Sequence, residues 1–351
     1  MAYQELRQNP ITGNWVIIAE DRSKRPGVLQ INGKVQLPAY DKDCVFCPGN
    51  EDKTPPEILA YRNGDVWWAR TIPNKFPALS LEARIDGQPQ IIREGMFVRM
   101  PGYGVHEVII ETPSHNQDIY DRELGQVREM LWMYRDRLTT YKNEEELENI
   151  LIFKNKGDTA AASLYHPHSQ LTASPVHMQR LDLEIEGSQR YFLSENFMGK
   201  KEQCGYCDMI NQEIEIKDKF GVTSSVNRLI AENPYSIAFL PFASAFPFET
   251  WIMPKNHRSD YTLISPEEAT QLAIITKEVF EKLHRALPNF DYNMILHTTP
   301  LNAGIQEYYH WHFEIIPKLT KIGGFELGSG IFINIVAPEK AAKFMNTGLD
   351  Y

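Results

Sequence analysis

The chain has 351 residues, 42% of them apolar and 23% charged, with 21 Gly and 22 Pro, a globular composition that excludes collagen, coiled coil and disorder. At about 150 residues per domain, the length predicts two domains, each able to bury its own core. A net charge of −10 with no long basic block lacks the electrostatic footprint of a duplex-binding protein, so nucleic acid is not an expected partner.

The segment Met1-Ala2-Tyr3-Gln4-Glu5-Leu6-Arg7 lacks the basic start and apolar run of a secretory signal, and no stretch approaches the roughly 18 apolar residues of a membrane span. The expected protein is cytoplasmic, has no membrane partner and keeps its cysteines reduced. Next, Asp21-Arg22-Ser23-Lys24-Arg25-Pro26 gathers enough local cations for an acidic protein to hold an anionic small molecule. The first cysteines follow as Cys44-x-x-Cys47, either a redox pair or half of a tetrahedral zinc site. Asn74-Lys75-Phe76-Pro77 and a β-prone run from His106 to His115 come next. A helix is then predicted from Leu124, Val127, Leu131, Tyr134 and Leu138, spaced by three and four. The apolar strand Asn149 to Asn155 leads on to His166-Pro167-His168-Ser169-Gln170.

The second half repeats this order. Cys204-x-x-Cys207 opens it, Asn233-Pro234-Tyr235 matches Asn74 onward, and Phe248 to His257 matches His106 to His115. Both ten-residue runs have Glu second, a Pro near the end and a terminal His. Ser265-Pro266-Glu267-Glu268 supplies an N-cap, a first-turn proline and a capping-box Glu for a helix carrying Leu272, Ile275, Val279 and Leu283. The strand Asn293 to His297 then leads to His310-Trp311-His312. A repeated order of elements predicts a duplicated module. The expected fold is therefore α+β, a tandem duplication in which each module is a mostly antiparallel sheet with flanking helices. The expected division is 1–190 and 191–351, joined through the charged segment around 180–200.

Matched positions pair each cysteine doublet with two histidines. Cys44, Cys47, His115 and His166 form one expected set, and Cys204, Cys207, His257 and His310 the other. Two thiolates and two imidazoles suit tetrahedral Zn2+, and a closed four-ligand site is structural because no position remains for a substrate. Residues two apart on a strand share a face, so each His-x-His doublet is expected to present both rings, or a ring and the following polar side chain, on one surface. With His166 turned to zinc, His168 is free to project on a rigid mount. A neutral imidazole whose other nitrogen is held by a hydrogen bond is a good nucleophile toward phosphorus. Gln170, Asn155 and Ser163 offer donors for phosphoryl oxygens. The alternative for His168 is a half-buried structural histidine.

Phe153-Lys154-Asn155-Lys156-Gly157 followed by His166-Pro167-His168-Ser169-Gln170 resembles the signature of the galactose-1-phosphate uridylyltransferases, the transferase branch of the histidine-triad superfamily. The resemblance runs from Arg22 to the C-terminal doublet. It implies histidine-triad-like modules, with the N-terminal one catalytic and the C-terminal one carrying the second zinc and the sugar-recognition segment. It also implies that His168 attacks the α-phosphorus of a nucleoside diphosphate sugar, leaving a nucleotidyl-histidine that a sugar 1-phosphate discharges in a ping-pong cycle. Gln170 would bind the phosphoryl oxygens, Asn155 and Ser163 the phosphate region, and Arg22 and Arg25 would neutralise charge. Asn74 and Phe76 would hold base and ribose, and the His166 carbonyl would anchor the His168 tautomer. Related transferases are homodimers in which a C-terminal segment completes the partner's sugar site, here through Phe325 and Glu326.

Two departures stand out. Where the family can bind a second metal through Glu and His, the cysteine pair favours Cys204, Cys207, His257 and His310 over Glu184, His297 and His312. The run Gly323-Gly324-Phe325-Glu326-Leu327-Gly328 resembles a subgroup that includes plant ADP-glucose phosphorylase, in which orthophosphate accepts an adenylyl group. The leading expectation is a UDP-glucose:hexose-1-phosphate uridylyltransferase of galactose metabolism. The alternatives are an ADP-sugar phosphorylase and a zinc-stabilised nucleotide-binding protein without turnover.

Overall fold

The structure, a computed structural model, describes residues 4–24, 37–196 and 198–348. The first half runs through β1 (Glu5–Gln8), β2 (Trp15–Ile18), β3 (Leu59–Asn63), β4 (Val66–Pro73), β5 (Ile92–Glu94), β6 (Phe97–Arg99), β7 (Val105–Ile110), α1 (Leu124–Tyr141), β8 (Asn149–Lys156) and β9 (His168–Ser174). Then come α2 (Gln179–Leu193), α3 (Gly205–Phe220), β10 (Leu229–Glu232), β11 (Ser236–Phe239), β12 (Thr250–Pro254), α4 (Pro266–Ala286), β13 (Tyr292–His297), β14 (His312–Pro317), α5 (Gly324–Ser329), β15 (Phe332–Asn334) and α6 (Pro338–Thr347). No helix among the described residues is long and apolar enough to cross a membrane.

Ten strands form one sheet in the order β10-β11-β12-β14-β13-β8-β9-β7-β4-β3, antiparallel at every junction. Read from the β13–β8 seam outward, the halves mirror each other, with β9 matching β14, β7 matching β12 and β4 matching β11. The duplication expected from the motifs is thus a duplication of strand order, and the two sheets meet edge to edge. The remaining sheets are β1-β2-β15, in which β15 runs parallel to β2, and the β5–β6 hairpin.

Helices α1 and α4 pack on one face, where both halves share a core that includes Leu131, Leu171, Ile252, Val279 and Leu296. The predicted stripe of α4 is wholly buried, and Ser265 and Glu268 form the capping box. In α1, Leu124 is 38% exposed because it is the first helical residue, ahead of the buried Val127. On the opposite face the halves differ. The second half is covered by α2 and α3 through Leu181, Tyr206, Phe239 and Trp251, whereas Cys44, Phe46, Cys47, Trp67 and Val108 form a small cluster over the first.

A buried charge cluster ties the helical face to the site. Glu111 accepts hydrogen bonds from Arg122 (2.8 Å) and Lys154 (2.7 Å), and also from Ser169 and Tyr134. Burial opposes ionisation of Glu111, but Lys154 and Arg122 outweigh it and hold the carboxyl near about 2. Glu111→Gln strands two buried cations, so its unfolding free energy at pH 7 should fall by about 3–5 kcal/mol. Because the folded pKa lies below the unfolded value of 4.5, this stabilisation is complete above that value and is lost as pH falls toward about 2. Urea titrations of both proteins should show the gap narrowing over that window, and a pH-independent gap would contradict it.

Candidate active site

Strand alternation divides β9 between two environments. Leu171 and Ala173 join the shared core and Ser169 meets Glu111, so His168, Gln170 and Thr172 point to the face opposite α1. On β8, Lys154 reaches Glu111, which leaves Asn155 on the side of His168. Gly157 ends this strand at φ +85°, where a Cβ would lie 1.8 Å from Asp291 Oδ1, so the motif needs glycine there.

His168 Nδ1 lies 2.9 Å from the His166 carbonyl oxygen. A carbonyl only accepts, so Nδ1 carries the proton and Nε2 keeps its lone pair. Burial lowers the His168 pKa, keeping the ring neutral at pH 7. Strand pairing starts at His168 and at His312, so His166 and His310 lie just outside the ladder. One expectation is corrected here: His168 does not project into solvent, because the Phe46 ring, 5.5 Å away between centroids, leaves it only 6% exposed.

Both Cys2His2 sets come together, the ligand atoms of each lying within 4.8 Å of one another. Tetrahedral zinc with bonds of about 2.3 Å to sulfur and about 2.0 Å to nitrogen places those atoms about 3.5 Å apart. Cys47 Sγ is 3.5 Å from His115 Nδ1 and 3.6 Å from His166 Nδ1, and Cys207 Sγ is 3.6 Å from His257 Nδ1 and 3.7 Å from His310 Nδ1. The far ring nitrogens donate to backbone carbonyls, His166 to Thr112 (2.8 Å), His310 to Pro254 (2.9 Å) and His257 to Gln306 (3.0 Å). These bonds aim each Nδ1 lone pair inward, as metal-binding histidines require. The chemistry and spacing of both sets fit zinc.

The first set is fully buried, whereas His257 of the second is exposed. In the second set the Cys207 thiol holds Cys204 down near about 2 while Cys207 is pushed far up. Zinc binding at this set would require both sulfurs as thiolates and would release protons. A third group joins Glu184, His297 and His312. Burial opposes charge on His297, but Glu184 3.2 Å away holds it up at about 9, while burial takes His312 down to about 4. The trio and the second Cys2His2 set coexist, because His310 and His312 turn their rings into different clusters.

The other expected residues divide. Asn74 Oδ1 caps the Phe76 amide at 2.9 Å, and Asn74 Nδ2 stands 3.1 Å from His106 Nε2, which in turn lies 2.8 Å from Gln170 Oε1. Asn74, Gln170, Asn155 and His168 therefore belong to one neighbourhood, bordered by Phe76 at 84% exposure. Arg22 sits on a short 3-10 turn after β2, Ser163 on the exposed loop before His166, and Phe325 and Glu326 on α5 beside β15. Among the described residues, no hydrogen bond joins these four to the group, and Arg25 lies outside the described residues. A cavity of about 800 Å³ flanks the first Cys2His2 set. Its two lysines offer no free cation, since Lys154 pairs with Glu111 and Lys156 with Asp118 at 2.9 Å.

Two neighbours, His106 and Asn293, carry no motif of their own. The available signal was a mismatch between the halves, since His106 faces Phe248 across the repeat and Asn293 corresponds to Leu151.

Residues 1–177 match the family described as galactose-1-phosphate uridyl transferase, N-terminal domain, and residues 204–343 its C-terminal domain. The chain is 33% identical over 344 residues to ADP-glucose phosphorylase of Arabidopsis thaliana, covering 97% of this chain and 92% of that protein. It is 29% identical over 348 residues to the galactose-1-phosphate uridylyltransferase of Thermotoga maritima, covering 97% and 96%. A crystal structure of an Arabidopsis thaliana ADP-glucose phosphorylase with bound ADP-glucose superposes with a TM-score of 0.80 at 31% identity, covering 99% of this chain and 100% of that one.

Proposed function

The chain belongs to the galactose-1-phosphate uridyl transferase family, and from that premise we propose that it is a nucleotidyltransferase acting on sugar phosphates through a covalent nucleotidyl-histidine at His168. The observation that carries this reading is the 2.9 Å bond from His168 Nδ1 to the His166 carbonyl, which leaves Nε2 as a fixed lone pair beside amide donors. In the first half-reaction Nε2 forms a bond to the α-phosphorus of a nucleoside diphosphate sugar. The bridging P–O bond breaks, and the sugar 1-phosphate leaves with the electron pair. In the second, an acceptor oxygen attacks the same phosphorus and the P–N electron pair returns to Nε2. Gln170 and Asn155 donate to the equatorial oxygens, where charge builds. Zinc in the closed Cys2His2 sets would serve structure. In the first set it would hold His166, whose carbonyl holds His168.

Uridylyl transfer between hexose 1-phosphates, as in the Thermotoga relative, is the leading form of this chemistry. A second form, ADP-sugar phosphorolysis with orthophosphate as acceptor, is supported by the Arabidopsis relative and by the Gly323 to Gly328 segment. In either form a homodimer would let Phe325 and Glu326, on their exposed helix, complete a partner's sugar site. Incubation with UDP-glucose or ADP-glucose labelled at the α-phosphorus, without acceptor, should leave label on the protein. Galactose 1-phosphate or orthophosphate should then discharge it, and the faster pair identifies the reaction. Failure of every nucleotide sugar to label the protein would sink the reading.

A further inference from the structure

Gln170 and Asn155 are primary amides, and half a turn of either replaces two N–H donors by an acceptor oxygen. Beside a phosphoryl group that turn changes attraction into repulsion, so a working site has to fix each amide. We infer, on the basis of the nucleotidyl-histidine reading, that His106 and Asn293 are positioning residues: each holds an amide oxygen, Gln170 Oε1 or Asn155 Oδ1, and so leaves the NH2 group for phosphate.

Backbone groups settle which atom is which. The Ala78 N–H donates to His106 Nδ1 at 3.0 Å. That nitrogen therefore has no proton, and the neutral ring carries its proton on Nε2. Nε2–H donates to the Gln170 side chain 2.8 Å away, which must present its oxygen. Asn74 Nδ2, 3.1 Å from the same ring nitrogen, finds no acceptor there. His106 pairs with Thr172 across the β7–β9 ladder and Val108 with Gln170, so the ring spans one diagonal step on the shared face.

Asn293 works in the same way from the other half of the chain. Its Nδ2 lies 3.0 Å from the Ala160 carbonyl, an acceptor only, which identifies the group as NH2. Its second proton goes to Asn155 Oδ1 at 2.8 Å. Asn293 and Asn155 face each other across the β13–β8 seam, so the second module supplies a part of the first module's site. The matching positions of the second half carry Glu314 for Gln170, His297 for Asn155 and Phe248 for His106. The clamp occurs only in the half with amides to orient.

Rates of protein labelling and nucleotide-sugar Kd values in two double-mutant cycles test this. His106→Phe and Asn293→Ala should each slow labelling about 10- to 100-fold with Kd nearly unchanged. Each should add no further loss to Gln170→Ala or Asn155→Ala respectively. His106→Gln, which keeps one donor and one acceptor, should recover part of the rate. Additive losses, or losses expressed in Kd alone, would overturn the inference. Nitrogen-15 spectra of wild-type His106 give a readout independent of activity. They should show a protonated Nε2 and a bare Nδ1, and the opposite tautomer refutes the His106 clamp. A wild-type protein that takes no label fails the functional reading itself, and the tautomer then decides the His106 clamp alone.

Discussion

His168→Asn is expected to lower the rate of protein labelling by about 10⁴-fold or more, as removal of a nucleophile does in other covalent enzymes. Asparagine still places an N–H near the His166 carbonyl and is smaller than imidazole, so Phe46 can stay where it is. What disappears is the lone pair on Nε2, for which a planar amide has no substitute. Thermal stability should change little, and nucleotide-sugar Kd should stay close to wild type, because Asn74, Phe76, Asn155 and Gln170 remain. The decisive measurement is label recovered on the protein after denaturation. Label retained by His168→Asn at the wild-type rate would move the nucleophile elsewhere, and the doublet would revert to a structural role.

The second large effect concerns metal. Purified protein should contain about two zinc ions per chain, one in each Cys2His2 set, and Cys44→Ser should contain one. Serine is a poor zinc ligand, and the lost site couples the Cys44 loop, His115 and the approach to β9. With free zinc a thousandfold above its Kd, loss of one native-state site costs about 4 kcal/mol, roughly 5 °C in Tm for a chain of this size. Activity of the surviving folded protein should fall less than stability, because the site is closed and touches no substrate. Chelators should strip the second set first, since His257 is exposed and the first set is wholly buried. A protein free of zinc as purified, or a Cys44→Ser variant with unchanged zinc and Tm, would refute the assignment.

Much of the site could be read from spacing alone. Cys-x-x-Cys, a terminal His after a β-prone run and a His-x-His doublet recur in the same order, and both ligand sets assemble as that order implies. The N-cap Ser265 and the stripe of α4 were equally legible because their contacts are local. The burial of His168 was not, because the Phe46 ring that covers it lies far away in the chain and meets it only in the folded protein. Phe325 and Glu326 entered through resemblance, Arg22 through local charge and Ser163 through its place before the doublet, and none hydrogen-bonds to the His168 group among the described residues.

By itself the sequence determined the duplication, the strand and helix content of each copy and the pairing of cysteines with histidines, since these depend on neighbours or on one repeated pattern. Only the tertiary structure decided that the two sheets join at β8 and β13, that Glu184 meets His297 and His312, and that His106 and Asn293 hold the amides of Gln170 and Asn155. The two amide contacts alone join residues 64 and 138 positions apart, and no periodicity along a chain encodes which distant side chains will share a face. The antiparallel register across β7, β9, β8 and β13 creates that shared face.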